Sequence, residues 1–81
     1  MRIRVLVFGA AAETLGRGAE VVEVAHGATV GDALGALLDA RPELAPALRL
    51  AAFAVNRRYV RREHALAEGD EVAFVPPVSG G

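Results

Sequence analysis

Hydrophobic and polar residues alternate along this chain with two periods, and each change of period marks an element. Residues 2–8, RIRVLVF, have a period of two. Ile3, Val5 and Val7 share one face while Arg2, Arg4, Leu6 and Phe8 share the other, which predicts a β-strand. AAETLGRG, residues 11–18, breaks the alternation and contains Gly16 and Gly18, so it reads as a turn or short helical piece. EVVEVA, residues 20–25, restores it as a second strand, returning antiparallel across the GRG linker as a wide hairpin. From Thr29 the period becomes helical. Val30, Leu34, Leu37 and Leu38 form one apolar stripe at i, i+4, i+7 and i+8. Thr29 is a good N-cap with Asp32 as its capping partner. Arg41 suits the negative C-terminal end of the helix, and Pro42 stops it. Gly31 and Gly35 lower its intrinsic propensity, so packing must hold it. A short helical turn is expected over Glu43 to Arg49. AFAV, residues 52–55, and Tyr59-Val60 read as short strands joined by a tight turn at Asn56-Arg57. After a turn at residues 68–70, EVAFV forms the final strand, with Val72 and Phe74 on one face and Ala73 and Val75 on the other. Pro76-Pro77 ends it, because proline cannot continue a hydrogen-bonded ladder.

The order is β-β-α-β-β-β, an α+β chain in which one main helix must cover one face of a mixed sheet. With the first and last strands as parallel neighbours, this is the ubiquitin-like β-grasp arrangement. Residues 1–75 form the domain and residues 76–81 an extended C-terminal tail. The predicted core is Val5, Val7, Val22, Val24, Leu34, Leu37, Leu38, Val55, Val72 and Phe74. The opposite sheet face carries Leu6, Phe8, Ala73 and Val75. With Tyr59 on the hairpin, these are the candidate partner-binding residues, since exposed apolar patches mark interfaces.

Composition narrows the function classes. Eighty-one residues make one domain. At 53% apolar but with only three Phe and one Tyr, the core is built mainly from Val, Leu and Ala. A formal net charge of -1 argues against a general nucleic-acid or anionic-membrane binder. All nine basic residues are Arg, so the N-terminus offers the one primary amine. The absence of Cys excludes disulfides, Zn-thiolate sites, iron–sulfur clusters and Cys nucleophiles. No apolar run reaches the ~18 residues of a membrane span. MRIRVLVFG is too short and too alternating for a signal peptide, so a cytoplasmic location is expected.

No residue set suggests a self-contained enzyme. His26 and His64 are far apart and lack a Cys or acidic cluster, so no metal site is expected. Ser79 has no evident base, and Gly16, Gly18 and Gly27 form no phosphate loop. Asp70-Glu71 reads as a solvated turn pair. RRYVRR, residues 57–62, mixes charge with one aromatic, as single-strand nucleic-acid binders do. With a single aromatic in a near-neutral chain, it reads instead as a solvated or protein-docking hairpin.

The tail carries the strongest signal. Pro76 and Pro77 favour an extended exit, and six residues span roughly 20 Å. Val78 and Ser79 lead to Gly80 and Gly81, whose bare backbone can pass a narrow channel. The reactive group at the tip is the Gly81 α-carboxylate, a poor electrophile that ATP can convert into an acyl-adenylate.

"EGDEVAFVPPVSGG", residues 68–81, together with "AFAVNRRYV", residues 52–60, resembles the MoaD-type sulfur carriers, the small subunits of molybdopterin synthase. The opening "VLVFGAAAETLG" is similar too, so the resemblance spans nearly the whole chain. Two positions depart from the family's usual pattern: Ala12 replaces an Arg before the Glu of the first loop, and Val75 replaces an aromatic before the prolines. Both bear on partner contact rather than on the tail. The resemblance implies that an adenylating enzyme uses ATP and Mg²⁺ to form Gly81-AMP, and that a persulfide donor then yields a Gly81 thiocarboxylate. It implies no permanently bound cofactor. It also implies a large catalytic subunit, in a heterotetramer, where the tail donates sulfur to a cyclic pyranopterin precursor. The same chemistry fits a carrier for thiamine or tRNA thiolation, or a protein modifier. Thiamine carriers are typically shorter and lack an insert like residues 42–50, which favours the pterin reading. A reading of another class is an interaction module whose tail is never modified.

Overall fold

Alternation in the first strand sets the framework. The structure, a computed structural model, describes residues 1–77; the expected tail positions Val78, Ser79, Gly80 and Gly81 lie outside the described residues. β1 (Arg2–Val7), α1 (Gly9–Leu15) and β2 (Ala19–Glu23) are followed by the main helix α2 (Val30–Ala40). A 3-10 turn at Pro42–Leu44 leads into α3 (Ala45–Leu48), and the chain ends in β3 (Ala52–Val55), β4 (Arg58–Val60) and β5 (Glu71–Val75). The five strands form one sheet in the order β2-β1-β5-β3-β4. β5 lies at its centre, parallel to β1 and antiparallel to β3. The expected mixed sheet with parallel first and last strands is therefore present. The hairpin β1–β2 is wide because α1 fills it, closed by Gly16 at φ 84°.

Ile3, Val5, Val7, Val22, Val72 and Phe74 present the buried face of the sheet to Val30, Ala33 and Leu37 of α2. Phe53 meets Phe74 edge to face, with ring centroids 5.8 Å apart. The expected core needs three corrections. Leu34 and Leu38 are half-buried, because the face that α2 turns to the sheet runs through Val30, Ala33 and Leu37, and the two leucines flank it. Val24 is also half-buried, one residue beyond the end of β2. In their place Leu44, Leu48 and Leu66 close the core from the irregular segments. The turn over residues 42–48 is thus an anchor for two core leucines.

The first turn of α2 is capped twice. The Thr29 hydroxyl accepts from the Asp32 N–H at 3.2 Å, and the Asp32 carboxylate accepts from the Thr29 N–H at 2.9 Å, the expected capping box. The next donors turn to the loop before β5: the Val30 N–H donates to the His64 carbonyl at 3.0 Å and the Gly31 N–H to the Arg62 carbonyl at 2.8 Å. These are donors a helix N-terminus leaves unsatisfied. A methyl group on Gly31 would stand 3.2 Å from Arg62 Nε, so glycine here permits the close approach. At the other end, the Arg41 N–H caps the Leu37 carbonyl at 2.8 Å, while its guanidinium reaches Glu20 of β2 at 3.4 Å. Arg17 pairs with the same carboxylate.

Asn56 and Arg57 both adopt left-handed backbone, φ 48° and 71°, as a two-residue hairpin turn demands. Asn adopts this conformation readily, and Arg57 adopts it at a steric cost. Asn56 also ties the turn to β5: its Oδ1 accepts from the Glu71 N–H at 3.1 Å, and its Nδ2 donates to Asp70 Oδ1 at 3.0 Å. Asp70 Oδ2 accepts from the Ala67 N–H at 2.8 Å. Asp70, expected as a solvated turn residue, stays at the exposed turn and is also the hinge of this clamp.

Truncating buried Leu37 or Phe74 to Ala is expected to cost ~2–5 kcal/mol in urea unfolding. Leu34→Ala, on the flank, should cost distinctly less; equal losses at 34 and 37 would contradict the packing described. Asn56→Ala removes two exposed hydrogen bonds, which water partly replaces, and should cost about 0.5–1.5 kcal/mol.

Candidate docking face and tail root

Cross-strand register builds one apolar lane across the open side of the sheet. Ala19 pairs with Leu6, Leu6 with Ala73, Ala73 with Ala54, and Ala54 with Tyr59. Paired residues share a face with Cβ atoms ~5 Å apart, so these five cross all five strands in line. The lane contains no charge. Small Ala73 and Ala54 lie between Leu6 and Tyr59, which forms a shallow trough with a larger side chain on each side. Tyr59 is 73% exposed, whereas Leu6 and Ala73 are half-buried. One pleat away towards the tail, Val75 pairs with Ala52 on the same face. On the other side, Arg4 and Glu71 pair across β1 and β5 at 3.7 Å and mark the polar border.

Four of the five residues expected at a partner surface therefore lie on one face: Leu6, Ala73 and Tyr59 in the lane, with Val75 on the tail side. Phe8 differs in one respect from expectation. β1 ends at Val7, and Phe8 continues in extended backbone as the residue before α1. Its ring is 44% exposed beside the sheet rather than in it. Sequence reading missed Ala54, whose position in the lane follows only from the β3–β4–β5 register. It also missed Leu50, 73% exposed just after α3. A four-residue helix is too short for periodicity to reveal which side chains it leaves outside.

The tail root is built where the parallel pair ends. β5 leaves the sheet at the same end as β1, so Pro76 emerges beside the start of α1. Gly9 at that point has φ 55°, and a methyl there would come 3.9 Å from the Pro76 ring. Pro77 lies in a groove with Pro46, Ala47, Arg49 and Leu50. α1 and α3 thus flank the exit, and two prolines pass between them.

The other candidates separate. His26 and His64 are exposed, and no group of three or more His, Asp or Glu side chains is placed to hold a metal among the described residues. Arg57, Arg58 and Arg61 are exposed on or beside the hairpin, while Arg62 lies over Gly31. No polar or charged side chain is buried among the described residues. No helix of the described residues is long and apolar enough to cross a membrane.

A β-grasp sheet whose central, last strand runs into a Pro-Pro and Gly-Gly tail defines the ubiquitin-like class of small carrier and modifier domains. The chain belongs to the ThiS family, whose profile matches residues 5–81. It is 40% identical over 83 aligned residues to the molybdopterin synthase sulfur carrier subunit of Chlamydomonas reinhardtii, covering both chains in full. It is 37% identical over 82 residues to that of Mycobacterium tuberculosis, covering 100% of this chain and 99% of the other. Among solved structures it resembles SAMP1 from Haloferax volcanii, a small archaeal modifier protein, with a TM-score of 0.90, 35% identity and full coverage of both. It also resembles a chain of the complex of subunits 1 and 2 of the molybdopterin-converting factor from Helicobacter pylori, with a TM-score of 0.71, 26% identity and full coverage of both.

Because the lane faces outward, Tyr59→Ala should change the unfolding free energy by less than about 1 kcal/mol, and Leu6→Asp, at a half-buried position of an inner strand, should cost more but leave the chain folded. Loss of the folded state on either change would make the lane part of the core.

Proposed function

We propose that this chain is the sulfur carrier subunit of a molybdopterin synthase, working in the cytoplasm. The observation that carries the reading is the terminal Gly-Gly: it follows the central strand of a β-grasp domain that aligns end to end with two molybdopterin synthase sulfur carrier subunits. The described residues offer a rigid base, an apolar lane and a directed exit. The chemistry belongs to the tip.

In this reading an adenylating enzyme binds the domain and takes the tail into its site. The Gly81 carboxylate attacks the α-phosphorus of ATP, pyrophosphate leaves, and Mg²⁺ offsets the phosphate charge. A persulfide sulfur then attacks the Gly81 carbonyl and AMP departs, leaving an acyl disulfide; a thiol attacks the donor's sulfur in that bond, forms a disulfide with it, and releases the Gly81 thiocarboxylate. The loaded tail enters the large subunit and gives up its sulfur to a cyclic pyranopterin precursor. Acids and bases for that step come from the partner, and the carrier is a co-substrate. The two-subunit complex from Helicobacter pylori supports a large-subunit partner; we propose that it docks on this face, in a heterotetramer. Likeness to SAMP1 favours a second reading, a protein modifier that spends the same adenylate on an amine.

Intact-mass analysis after reaction with the adenylating enzyme, a persulfide donor, ATP and Mg²⁺ tests the tip. Wild type should gain the mass of one oxygen-to-sulfur exchange. Adding a residue after Gly81, or deleting Gly81, moves the carboxylate by roughly 3.5 Å, and reacting groups do not tolerate even ~1 Å displacements without large rate loss. Gly80→Phe keeps the length but adds bulk. All three variants should fold normally and fail to load. Loading of the extended or shortened chain at the wild-type rate would remove the tip from the chemistry. On the docking face, Phe8→Asp and Val75→Asp should each weaken binding to the large subunit by about 1 kcal/mol or more in titration calorimetry, while thermal unfolding of the free chain is retained.

A further inference from the structure

An activated glycine at the end of a chain is a hazard to its own kind. In an acyl-adenylate, any accessible primary amine can attack the Gly81 carbonyl carbon. The carbon–oxygen bond to AMP breaks, AMP leaves with the electron pair, the nitrogen loses a proton, and an amide links two copies. Lysine is the usual acceptor, and these 81 residues contain none. All nine cationic side chains are guanidinium groups, whose nitrogens donate hydrogen bonds but offer no free lone pair. The remaining side-chain nucleophiles are weak or transient acceptors. The hydroxyls of Thr14, Thr29, Tyr59 and Ser79 are neutral alcohols and poor nucleophiles, and an acyl group on His26 or His64 returns to the carboxylate by hydrolysis.

One primary amine remains in these 81 residues, the α-amine of Met1, and two features of the fold stand against it, the first towards any copy and the second within one copy. It donates a hydrogen bond to the Val24 carbonyl, and the Val24 N–H donates back to the Met1 carbonyl at 2.8 Å, so Met1 is zipped to the chain beyond β2 and half-buried. Second, β1 and β5 are parallel, with Val7 opposite Phe74. The tail therefore leaves from the end of the sheet opposite Met1, about 20 Å away for the six residues of β1. A six-residue tail spans roughly 20 Å when straight, and its two prolines direct it onward rather than back. Attack within one copy would require the tail to double back, fully extended, along the whole length of β1.

We propose that the chain is built as a non-acceptor of its own activated tip. Once adenylated, Gly81 passes to a sulfur donor or to an amine on a different protein, and never to a second copy. Any protein modification by this chain therefore adds single units and no chains. The inference rests on the carrier reading above and extends it from the tip to the whole surface.

The test uses the full chain with the adenylating enzyme, ATP and Mg²⁺, followed by ATP–pyrophosphate exchange and by intact mass. Arg2→Lys and Arg61→Lys put an amine at exposed positions while keeping the charge. Hydroxylamine, added in a parallel sample, reports that the adenylate is open to amines. Wild type should show exchange, should give the hydroxamate with hydroxylamine, and should otherwise stay monomeric. Both lysine variants should exchange equally and build a ladder at multiples of the monomer mass, less one water per link. Amide-linked wild-type dimers overturn the proposal. So do lysine variants that stay monomeric while hydroxylamine is acylated, since missing lysines would then not be the protection. Absence of exchange in wild type fails the carrier reading itself, and this proposal with it.

Discussion

The parallel pairing of β1 with β5 is the constraint on which the rest of the structure depends. It joins the two ends of the chain at the centre of the sheet, with Val5 beside Val72 and Val7 beside Phe74. Those four residues form the middle of the core, and α2 packs over them. A pairing across some sixty residues of intervening chain has to offset a large closure entropy, although that cost grows only slowly with length. The offset comes from burial on one face. On the other face the same register sets Leu6 beside Ala73 and so creates the lane, with no further device needed.

The polar interactions support this pairing at its margins and leave the interior dry. The Asn56–Asp70 clamp fixes where β5 begins, and Arg4–Glu71 fixes its first residue against β1. The Glu20 carboxylate, flanked by Arg17 and Arg41, ties β2 to the end of α2. Exposed ion pairs of this kind contribute little to stability. Their role is register: a slip of one residue would turn the apolar set outward and place Arg and Glu within.

Much of this was legible in the sequence because the chain signals its elements by period. RIRVLVF and EVAFV alternate cleanly, and Thr29–Asp32 mark a helix start that the structure reproduces as a capping box. The tail expectation rests on another signal, a proline pair joined to two glycines, and beyond Pro77 it lies outside the described residues. What escaped notice was two-sided packing. Leu34 and Leu38 satisfy a helical stripe as well as Val30 and Ala33 do, and periodicity cannot say which edge of a wide stripe meets the sheet. Leu44, Leu48 and Leu66 escaped because they reach the core from segments with no period. The clamp role of Asp70 escaped because its partner Asn56 lies fourteen positions away. The lane beyond Leu6 and Ala73 needed the hairpin register to bring in Ala54.

The placement of β5 has a consequence for quality control. The strand that completes the sheet is also the strand that holds the tail, so the trough of Ala54 and Ala73 exists only once β5 has inserted between β1 and β3. A chain that has collapsed around β1, β2 and α2 alone carries the same terminal glycines but has no lane. Any enzyme that grips the lane before it admits the tail therefore inspects the maturity of the domain first, and a half-folded copy is turned away with its tip unspent.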